Sequence, residues 1–235
     1  MRIALISDLH ANLVALDAVL ADAAAADAGR VICLGDIVSL GPEPRETLAR
    51  LRERGIPCVQ GNHDPLAPNP PCLAELEAWC EACLTADERA WLRALPSRIE
   101  IALDATTTLL CVHGSPRSFD EQVLAETTNA DLETMLTGHE ATITVCGHTH
   151  VQLLRRVRDR LIVNVGSVGM PFEEAYHGEG EPRVLPWAEY AIVSFENGRL
   201  SVDLRRVPFE FAAYAERVRK SGMPEGEAWL GQWRV

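Results

Sequence analysis

Residues 2–12 read Arg-Ile-Ala-Leu-Ile-Ser-Asp-Leu-His-Ala-Asn. A short apolar run opens this stretch, and the polar side chains Asp8 and His10 follow it. An apolar run of this length, Arg2–Ser7, predicts a buried strand. The Ala- and Leu-rich segment from Asn12 to about Ala26 has apolar residues at i, i+3 and i+4, which predicts a helix. The first 26 residues are therefore expected to form a strand, a polar turn and a helix.

The same unit follows along the chain. Val31–Leu34 and Ile56–Val59 predict two further strands, and the segment between them predicts a helix over Pro44–Arg54. Proline near the first turn and Gly55 after the last are typical helix boundaries. Repeated strand–helix–strand units predict right-handed crossovers and a parallel sheet.

The second half of the chain is predicted to be mainly strands. Asn197-Gly198 lies between two strand-like segments and predicts a hairpin turn. Hairpins after a parallel first half indicate two sheets packed face to face between helices. The expected elements are strands at Arg98–Leu103, Thr108–Val112, Thr142–Cys146, Val151–Val157, Leu161–Val165, Glu189–Phe195 and 199–205, and helices near Asp131–Thr137 and Glu210–Lys220.

Residues 65–96 interrupt this alternation. A Pro-rich loop leads to a predicted helix over Leu73–Leu84, and Thr85-Ala86-Asp87-Glu88 has the pattern of a capping box that opens a second helix. We expect these two helices to form a small cap beside the rim of the functional site. Its Trp79 and Trp91 are expected either to pack on the core or to face the cleft.

Composition indicates a single domain over residues 1–235, with 65–96 as an insertion and 207–235 as a helical tail. The N-terminus has no signal-peptide pattern and no segment is apolar enough for a membrane span, so we expect a cytoplasmic protein. The net charge of −12 opposes binding of a long nucleic acid. The sequence leaves the oligomeric state open.

Five polar clusters each follow an apolar run. Ligand sites of α/β folds lie beyond the carboxyl ends of strands, so we expect the clusters to meet in one crevice. Their Asp, Asn and His donors exceed what one metal needs, and two divalent ions that share a carboxylate are typical of phosphate-ester hydrolysis. The clusters are Asp8-Leu9-His10, Gly35-Asp36, Gly61-Asn62-His63-Asp64, His113-Gly114 and Gly147-His148-Thr149-His150.

In this order and spacing the clusters resemble those of the calcineurin-like metallophosphoesterase superfamily, and Asn164-Val165-Gly166-Ser167 extends the match. The resemblance is closest to small bacterial and archaeal phosphodiesterase-type members. It implies a four-layer α/β/β/α sandwich of two mixed sheets with flanking helices.

The resemblance also implies roles for the clustered residues. A water between the two ions is the implied nucleophile, and His63 is the implied general acid or transition-state stabiliser. The mixed N/O donors suit two divalent transition ions, Mn²⁺ first, with Fe, Zn, Ni or Co as alternatives. Asp8, His10 and His150 are implied to hold one ion, Asn62, His113 and His148 the other, and Asp36 to bridge them.

The chain departs from related patterns at three positions. Protein phosphatases of the superfamily have Asp and Arg where this chain has Ser39 and Leu40, which argues against that branch and leaves the partner of His63 open. Many relatives have Gly where this chain has Ala11. Alanine should be tolerated there if the backbone has a negative φ, since a positive φ favours glycine.

Two further residues have alternative interpretations. Asp64 is expected either to orient His63, and so to act in catalysis, or to cap the turn before Pro65. Arg117 is the candidate phosphate clamp, because a guanidinium binds phosphate in a bidentate manner. A surface arginine after a proline turn is the alternative.

Three functions agree with the sequence. A phosphodiesterase acting on a small or nucleotide-derived ester by metal-activated hydroxide is the first. A phosphomonoesterase is the second. The third is a non-catalytic scaffold of the same fold, which is disfavoured because the chain keeps every ligand and the motif residue His63.

Overall fold

The computed structural model describes residues 1–64, 73–178 and 180–234, and within them the chain forms two mixed β-sheets. The strands are β1 (Arg2–Ile6), β2 (Arg30–Cys33), β3 (Ile99–Ala102), β4 (Thr108–Cys111), β5 (Ile143–Cys146), β6 (Gln152–Val157), β7 (Arg160–Val165), β8 (Trp187–Glu196) and β9 (Arg199–Pro208). The helices are α1 (Leu13–Ala25), α2 (Pro44–Glu53), α3 (Ala74–Cys83), α4 (Ala86–Arg93), α5 (Asn129–Met135), α6 (Phe211–Ser221) and α7 (Gly226–Gly231).

The first sheet has the described strand order β2-β1-β8-β9, and the second has the order β3-β4-β5-β7-β6. In the first, β1 is parallel to β2 but antiparallel to β8, with Arg2 opposite Ser194. In the second, β4, β5 and β7 are parallel, while β3 and β6 run antiparallel at the edges. Parallel pairs therefore place the carboxyl ends of strands from both sheets at one side of the molecule.

The sheets pack face to face, as the sequence predicts. Leu5 of β1 and Ala191 of β8 share a buried cluster with Val145 of β5 and Val163 of β7. Alternate residues point to opposite faces of a strand. The outer face of the first sheet consequently packs on α1 and α2, and that of the second sheet packs on α5. The predicted α/β/β/α sandwich is confirmed.

Local signals account for several elements. Thr85 and Glu88 form the predicted capping box at the start of α4. The β8–β9 hairpin turns at Asn197 and Gly198, with φ of 50° and 73°, and positive φ at both positions is typical of a type I′ turn. The predicted Pro-rich loop falls mostly within residues 65–72, outside the described residues.

The third predicted strand, Ile56–Val59, is wrong as an extended element. It makes only an isolated parallel bridge, between Cys33 and Cys58. Pro57 cannot donate a backbone hydrogen bond, and Gln60 donates its N–H to Pro96 instead of to the sheet. The apolar run therefore lies beside β2 for a short distance and turns away toward α4.

Trp79 and Trp91 both pack against buried clusters and do not line the central cleft. Among the described helices, each is too short or too polar to cross a lipid bilayer.

Candidate metal centre

The polar clusters meet at the carboxyl ends of strands from both sheets. Asp8 follows β1, Asp36 follows β2, His113 follows β4, and His148 and His150 follow β5. All but His148 are nearly inaccessible to solvent. The topology thus brings together residues that are up to 142 positions apart in sequence, from Asp8 to His150.

The ligand-bearing turns have an unusual backbone. Asp8, His10, Asp36, His148 and His150 have φ between 43° and 66°. L-residues occupy this left-handed region rarely, at a cost of roughly 1–2 kcal/mol each. Such strain persists only where surrounding contacts impose it, and it is concentrated at functional sites.

Ala11 shares this conformation, with φ of 50°, so the negative φ under which alanine was expected to be tolerated is not present. The reason lies in its backbone hydrogen bonds. The Ala11 N–H donates to Ile37 O at 2.9 Å, and Ala11 O accepts the N–H of Glu43 at 3.1 Å. These bonds tie the turn after β1 to the turn after β2, and they impose the positive φ although a methyl group is present.

A first ligand group consists of Asp8, His10 and His150. The Nε2 atoms of the two histidines lie 3.0 Å apart, and His150 Nε2 lies 3.3 Å from Asp8 Oδ1. The Nδ1 atom of His10 bonds to Ser39 O at 3.1 Å, and that of His150 to Met170 O at 2.7 Å. Because a carbonyl only accepts, Nδ1 carries the proton and Nε2 is the atom available to a metal.

A second group surrounds Asn62 Oδ1. His113 Nε2 lies 2.8 Å from this oxygen and His148 Nδ1 lies 2.9 Å from it. The other nitrogens are held by backbone, His113 Nδ1 by Leu34 O at 2.9 Å and His148 Nε2 by Asp120 O at 3.2 Å. The carbonyls orient both imidazoles toward one point, as expected for metal ligands.

Asp8 and Asp36 have matching environments. Each has one oxygen bonded to a backbone N–H, from His148 to Asp8 Oδ2 at 3.0 Å and from His63 to Asp36 Oδ1 at 2.9 Å. Their other oxygens face imidazoles, with Asp36 Oδ2 3.3 Å from His113 Nε2. Asp8 Oδ1 is buried without a hydrogen-bond partner among the described residues.

These donors fit divalent metal ions. Asp8, His10 and His150 bring ligand atoms within 4.8 Å of one another, and so do Asp8, Asp36 and His113. A buried carboxylate oxygen without a donor needs a compensating positive charge. Asp8 belongs to both sets, so the geometry offers it as a shared ligand beside Asp36, which the resemblance alone makes the bridge.

The electrostatics favour anionic carboxylates. Burial opposes ionisation of Asp8, but His150 and His113 outweigh it and lower its pKa to about 2. Burial also acts against protonation of His113, yet Asp36 and Asp8 raise its pKa to about 10. Burial and the neighbouring His150 lower the pKa of His10 to about 3. Metal binding would therefore displace a proton from His113 and find His10 already neutral.

His63 lies at the edge of this centre and contacts a residue that sequence reasoning missed. Its Nδ1 lies 2.7 Å from Oε1 of Glu77 on α3. Glu77 is 8% exposed. One feature of the sequence could have indicated Glu77 as this partner. It is a carboxylate on the apolar face of a predicted helix, between Leu76 and Cys80. The described hydrogen bond between Ser39 and His63 involves the His63 backbone and not the imidazole, because the Ser39 hydroxyl donates to the His63 carbonyl at 3.3 Å.

Asp64 is fully buried and bonds to the backbone of two ligand-bearing turns. Its oxygens accept the N–H groups of Asp36 and Ile37, both at 2.9 Å, and of Gly61 at 2.8 Å. Burial and the charge of Asp36 raise its pKa to about 6. Through these contacts Asp64 joins the turn that carries Asp36 to the turn that carries Asn62. A catalytic role for Asp64 stays a prediction.

Arg117 lies away from the centre. Its Nε is 3.0 Å from both carboxylate oxygens of Glu121, and the guanidinium is about half exposed. Arg117 does not line the cleft, so its role as a phosphate clamp requires movement away from Glu121 and stays a prediction.

Residues 1–180 match the family model for the calcineurin-like phosphoesterase superfamily domain. The chain belongs to this superfamily of metal-dependent phosphoesterases, and its membership supports a phosphoric ester hydrolase.

The chain is also similar to individual proteins over nearly its whole length. A metallophosphoesterase structure from Sphaerobacter thermophilus is 31% identical, with a TM-score of 0.76 over 99% of this chain and 97% of the other. A hypothetical protein from Pyrococcus horikoshii has the same fold, at 20% identity and a TM-score of 0.80 over 95% and 94% of the two chains. An uncharacterized protein of Methanocaldococcus jannaschii is 27% identical over 98% of this chain and 96% of its own.

Proposed function

We propose that this protein is a binuclear metal-dependent phosphodiesterase that hydrolyses a small or nucleotide-derived ester. The observation that carries this proposal is the charge of the cleft. Among the described residues that line it, none is Lys or Arg, and the sequence has neither at positions 65–72 or 179. Leu40, which takes the place of the phosphatase arginine, lies in the wall.

A diester fits such a cleft better than a monoester. A phosphomonoester is close to a dianion at neutral pH, since its second pKa is about 6. A diester carries one negative charge and needs less compensation from the protein. The net charge of −12 adds repulsion against dianions and polyanions, and opposes a long nucleic acid or an anionic membrane surface as the partner.

The proposed roles follow from the contacts. The first group of Asp8, His10 and His150 would hold one ion, and the group around Asn62 would hold the other. When bound, two divalent ions, Mn²⁺ in the first instance, would supply positive charge for the phosphoryl oxygens and a water of lowered pKa as the nucleophile. His63 lines the cleft. Its proposed role is to donate a hydrogen bond or proton to the leaving oxygen.

The test compares bis(p-nitrophenyl) phosphate with p-nitrophenyl phosphate in Mn²⁺. We expect kcat/KM for the diester to exceed that for the monoester by about 10-fold or more, a difference of about 1.4 kcal/mol in transition-state stabilisation. His150→Ala should abolish turnover, while His139→Ala, a matched change outside the cleft, should leave it intact. Preference for the monoester would support a phosphomonoesterase, and binding of metals without turnover of either ester would support the scaffold.

A further inference from the structure

One side of the cleft is apolar. A cavity of about 420 Å³, within the range of small-molecule sites, extends from the metal ligands past His63. Part of its wall consists of the apolar or aromatic side chains Leu40, Met170, Phe172, Tyr176, Pro182 and Trp229, which together we term the apolar compartment. These residues come from the turn between β2 and α2 (Leu40), from the loop between β7 and β8, and from α7 of the C-terminal tail.

The apolar compartment begins at a metal ligand. The Phe172 ring lies over the His150 ring, with centroids 4.3 Å apart and planes inclined by 30°. The Phe172 N–H also donates to His150 O at 3.0 Å, which fixes the loop against the ligand. A group bound beside the Phe172 ring would therefore lie next to the imidazole of a candidate metal ligand.

The aromatic residues of the wall offer carbon surface. The Trp229 indole N–H is used by the Tyr214 hydroxyl at 2.9 Å, so the surface it has left is its aromatic carbons. Tyr176 packs edge-on to Phe172, with ring centroids 6.3 Å apart. Flat aromatic surfaces of this kind favour another planar group, which they contact at small entropic cost.

We propose that the apolar compartment binds an uncharged planar substituent of the phosphodiester, the one that does not leave. The inference rests on the proposed function and specifies its substrate class. The wall supplies dispersion contacts and stacking, and the lack of Lys and Arg excludes an additional anionic group on that substituent.

Three diesters with the same p-nitrophenolate leaving group test this proposal. The second substituent is methyl, phenyl or 4-carboxyphenyl. A single methylene in an apolar pocket discriminates by roughly 10-fold or more, so we expect kcat/KM for phenyl to exceed that for methyl by at least about 10-fold. The carboxylate should remove most of this gain.

Variants separate the compartment from intrinsic reactivity. Tyr176→Ala and Phe172→Leu should reduce the phenyl-to-methyl ratio about 5-fold or more with unchanged metal content, because each removes aromatic surface. Trp187→Ala, on β8 and outside the cleft, is the matched control and should keep the ratio. An unaltered ratio in both variants, or equal rates on all three diesters, would overturn the proposal while leaving a phosphodiesterase. Failure to cleave any diester would refute the proposed function itself.

An independent observation concerns the partner of His63. A described hydrogen bond to the imidazole comes from α3, in the insertion over residues 65–96, whereas Ser39 in the turn after Asp36 bonds to the His63 backbone. A carboxylate as buried as Glu77 is rare unless it is paired, and its distance of 2.7 Å to His63 Nδ1 is that of a charge-assisted hydrogen bond.

We infer that Glu77 is the positioning residue for His63. Its bond to Nδ1 fixes the plane of the imidazole and makes Nε2 the nitrogen that meets an ester oxygen. Helix α3 thereby couples the insertion to the reaction, although Glu77 itself does not touch the metal ligands in the described contacts.

The test uses two leaving groups and a double mutant. Glu77→Ala should lower kcat/KM by about 10-fold or more for a nucleoside cyclic phosphodiester, whose ribose oxygen needs a proton to leave, and less for bis(p-nitrophenyl) phosphate. In a His63→Ala background the same change should have no further effect. Glu77→Gln keeps an acceptor for Nδ1 and should recover most of the loss.

Glu75→Ala is the matched control, since Glu75 is exposed on the same helix. Equal losses on both esters, or additive losses with His63→Ala, would show that Glu77 only stabilises the fold. If His63→Ala itself has no effect on the cyclic diester, the role proposed for His63 fails, whatever Glu77 does.

Discussion

Replacing Asp36 by Asn tests which carboxylate is shared by the two ions. Asp36 Oδ2 lies 3.3 Å from His113 Nε2 and 4.0 Å from His10 Nε2, so it faces one histidine of each group. Asp8 Oδ1 has almost the same geometry, at 3.3 Å from His150 Nε2 and 3.9 Å from His113 Nε2. These distances do not show which of the two carboxylates bridges the ions, so the metal content of variants has to be measured.

The substitution is conservative in shape. The side-chain oxygen of Asn can still accept the His63 N–H that Asp36 Oδ1 accepts at 2.9 Å. The amide nitrogen then faces the imidazoles, where it cannot bind a cation. Asp8→Asn is the matched variant, because its amide oxygen can still accept the His148 N–H.

The expected magnitude follows from ligand loss. Removal of a group that only supports a ligand costs about 10–100-fold in metal affinity, so loss of a ligand to both ions should cost at least about 100-fold for each. For saturated sites, a 100-fold loss is about 2.7 kcal/mol of stabilisation per ion. Two ions give about 5 kcal/mol, which corresponds to a Tm lower by roughly 10–20 °C for a chain of this size.

The assay is metal content per chain after gel filtration, together with Tm and turnover. Asp36→Asn should lose at least one ion and nearly all activity. Asp8→Asn should keep about one ion, because the group around Asn62 still has its own ligands. Two tightly bound ions and near-native turnover in Asp36→Asn would refute the binuclear assignment. Loss of both ions in Asp8→Asn, with one retained in Asp36→Asn, would make Asp8 the bridge.

Two further changes probe the surroundings. If Arg117 leaves Glu121 to bind phosphate, Arg117→Ala should raise KM or lower kcat without changing metal content. The free energy of unfolding of the variant should change by less than about 1 kcal/mol, because the Arg117–Glu121 pair is exposed. Unchanged kinetics on several esters would show that Arg117 is a surface residue without a role in binding. Gly61→Ala would place a methyl group over Asp36 Oδ1 and the Asp36 backbone, so it should lower metal content and Tm. Gly29→Ala is the control, because the space around Gly29 is open and neither quantity should change. Normal metal content in Gly61→Ala would contradict the close packing of Gly61 on Asp36.

Much of the fold is predictable because its signals are local. The apolar run before Asp8, the Asn197-Gly198 turn and the Thr85–Glu88 capping box each depend on neighbours in sequence, and each has the predicted structure. The family motifs identify the polar residues in the sequence, and the two sheets bring these residues together in the structure.

Features that depend on distant contacts were not predictable in this way. The pairing of Glu77 with His63 requires the placement of α3, which no local pattern specifies. The positive φ of Ala11 results from bonds to Ile37 and Glu43, although alanine itself disfavours it. Ile56–Val59 has the composition of a strand but too few backbone partners to form one.

The place of β1 between β2 and β8 has a consequence for how the chain folds during synthesis. Residues 2–6 acquire one neighbour after about 30 residues, but their other edge stays unpaired until β8, beginning at Trp187, has been made. A contact between residues so far apart closes slowly, and an open apolar edge invites pairing with other chains. Nascent chains that stop before β8 should therefore aggregate or require a chaperone, and the turn that carries Asp8 and His10 should become rigid only after the C-terminal hairpin has docked.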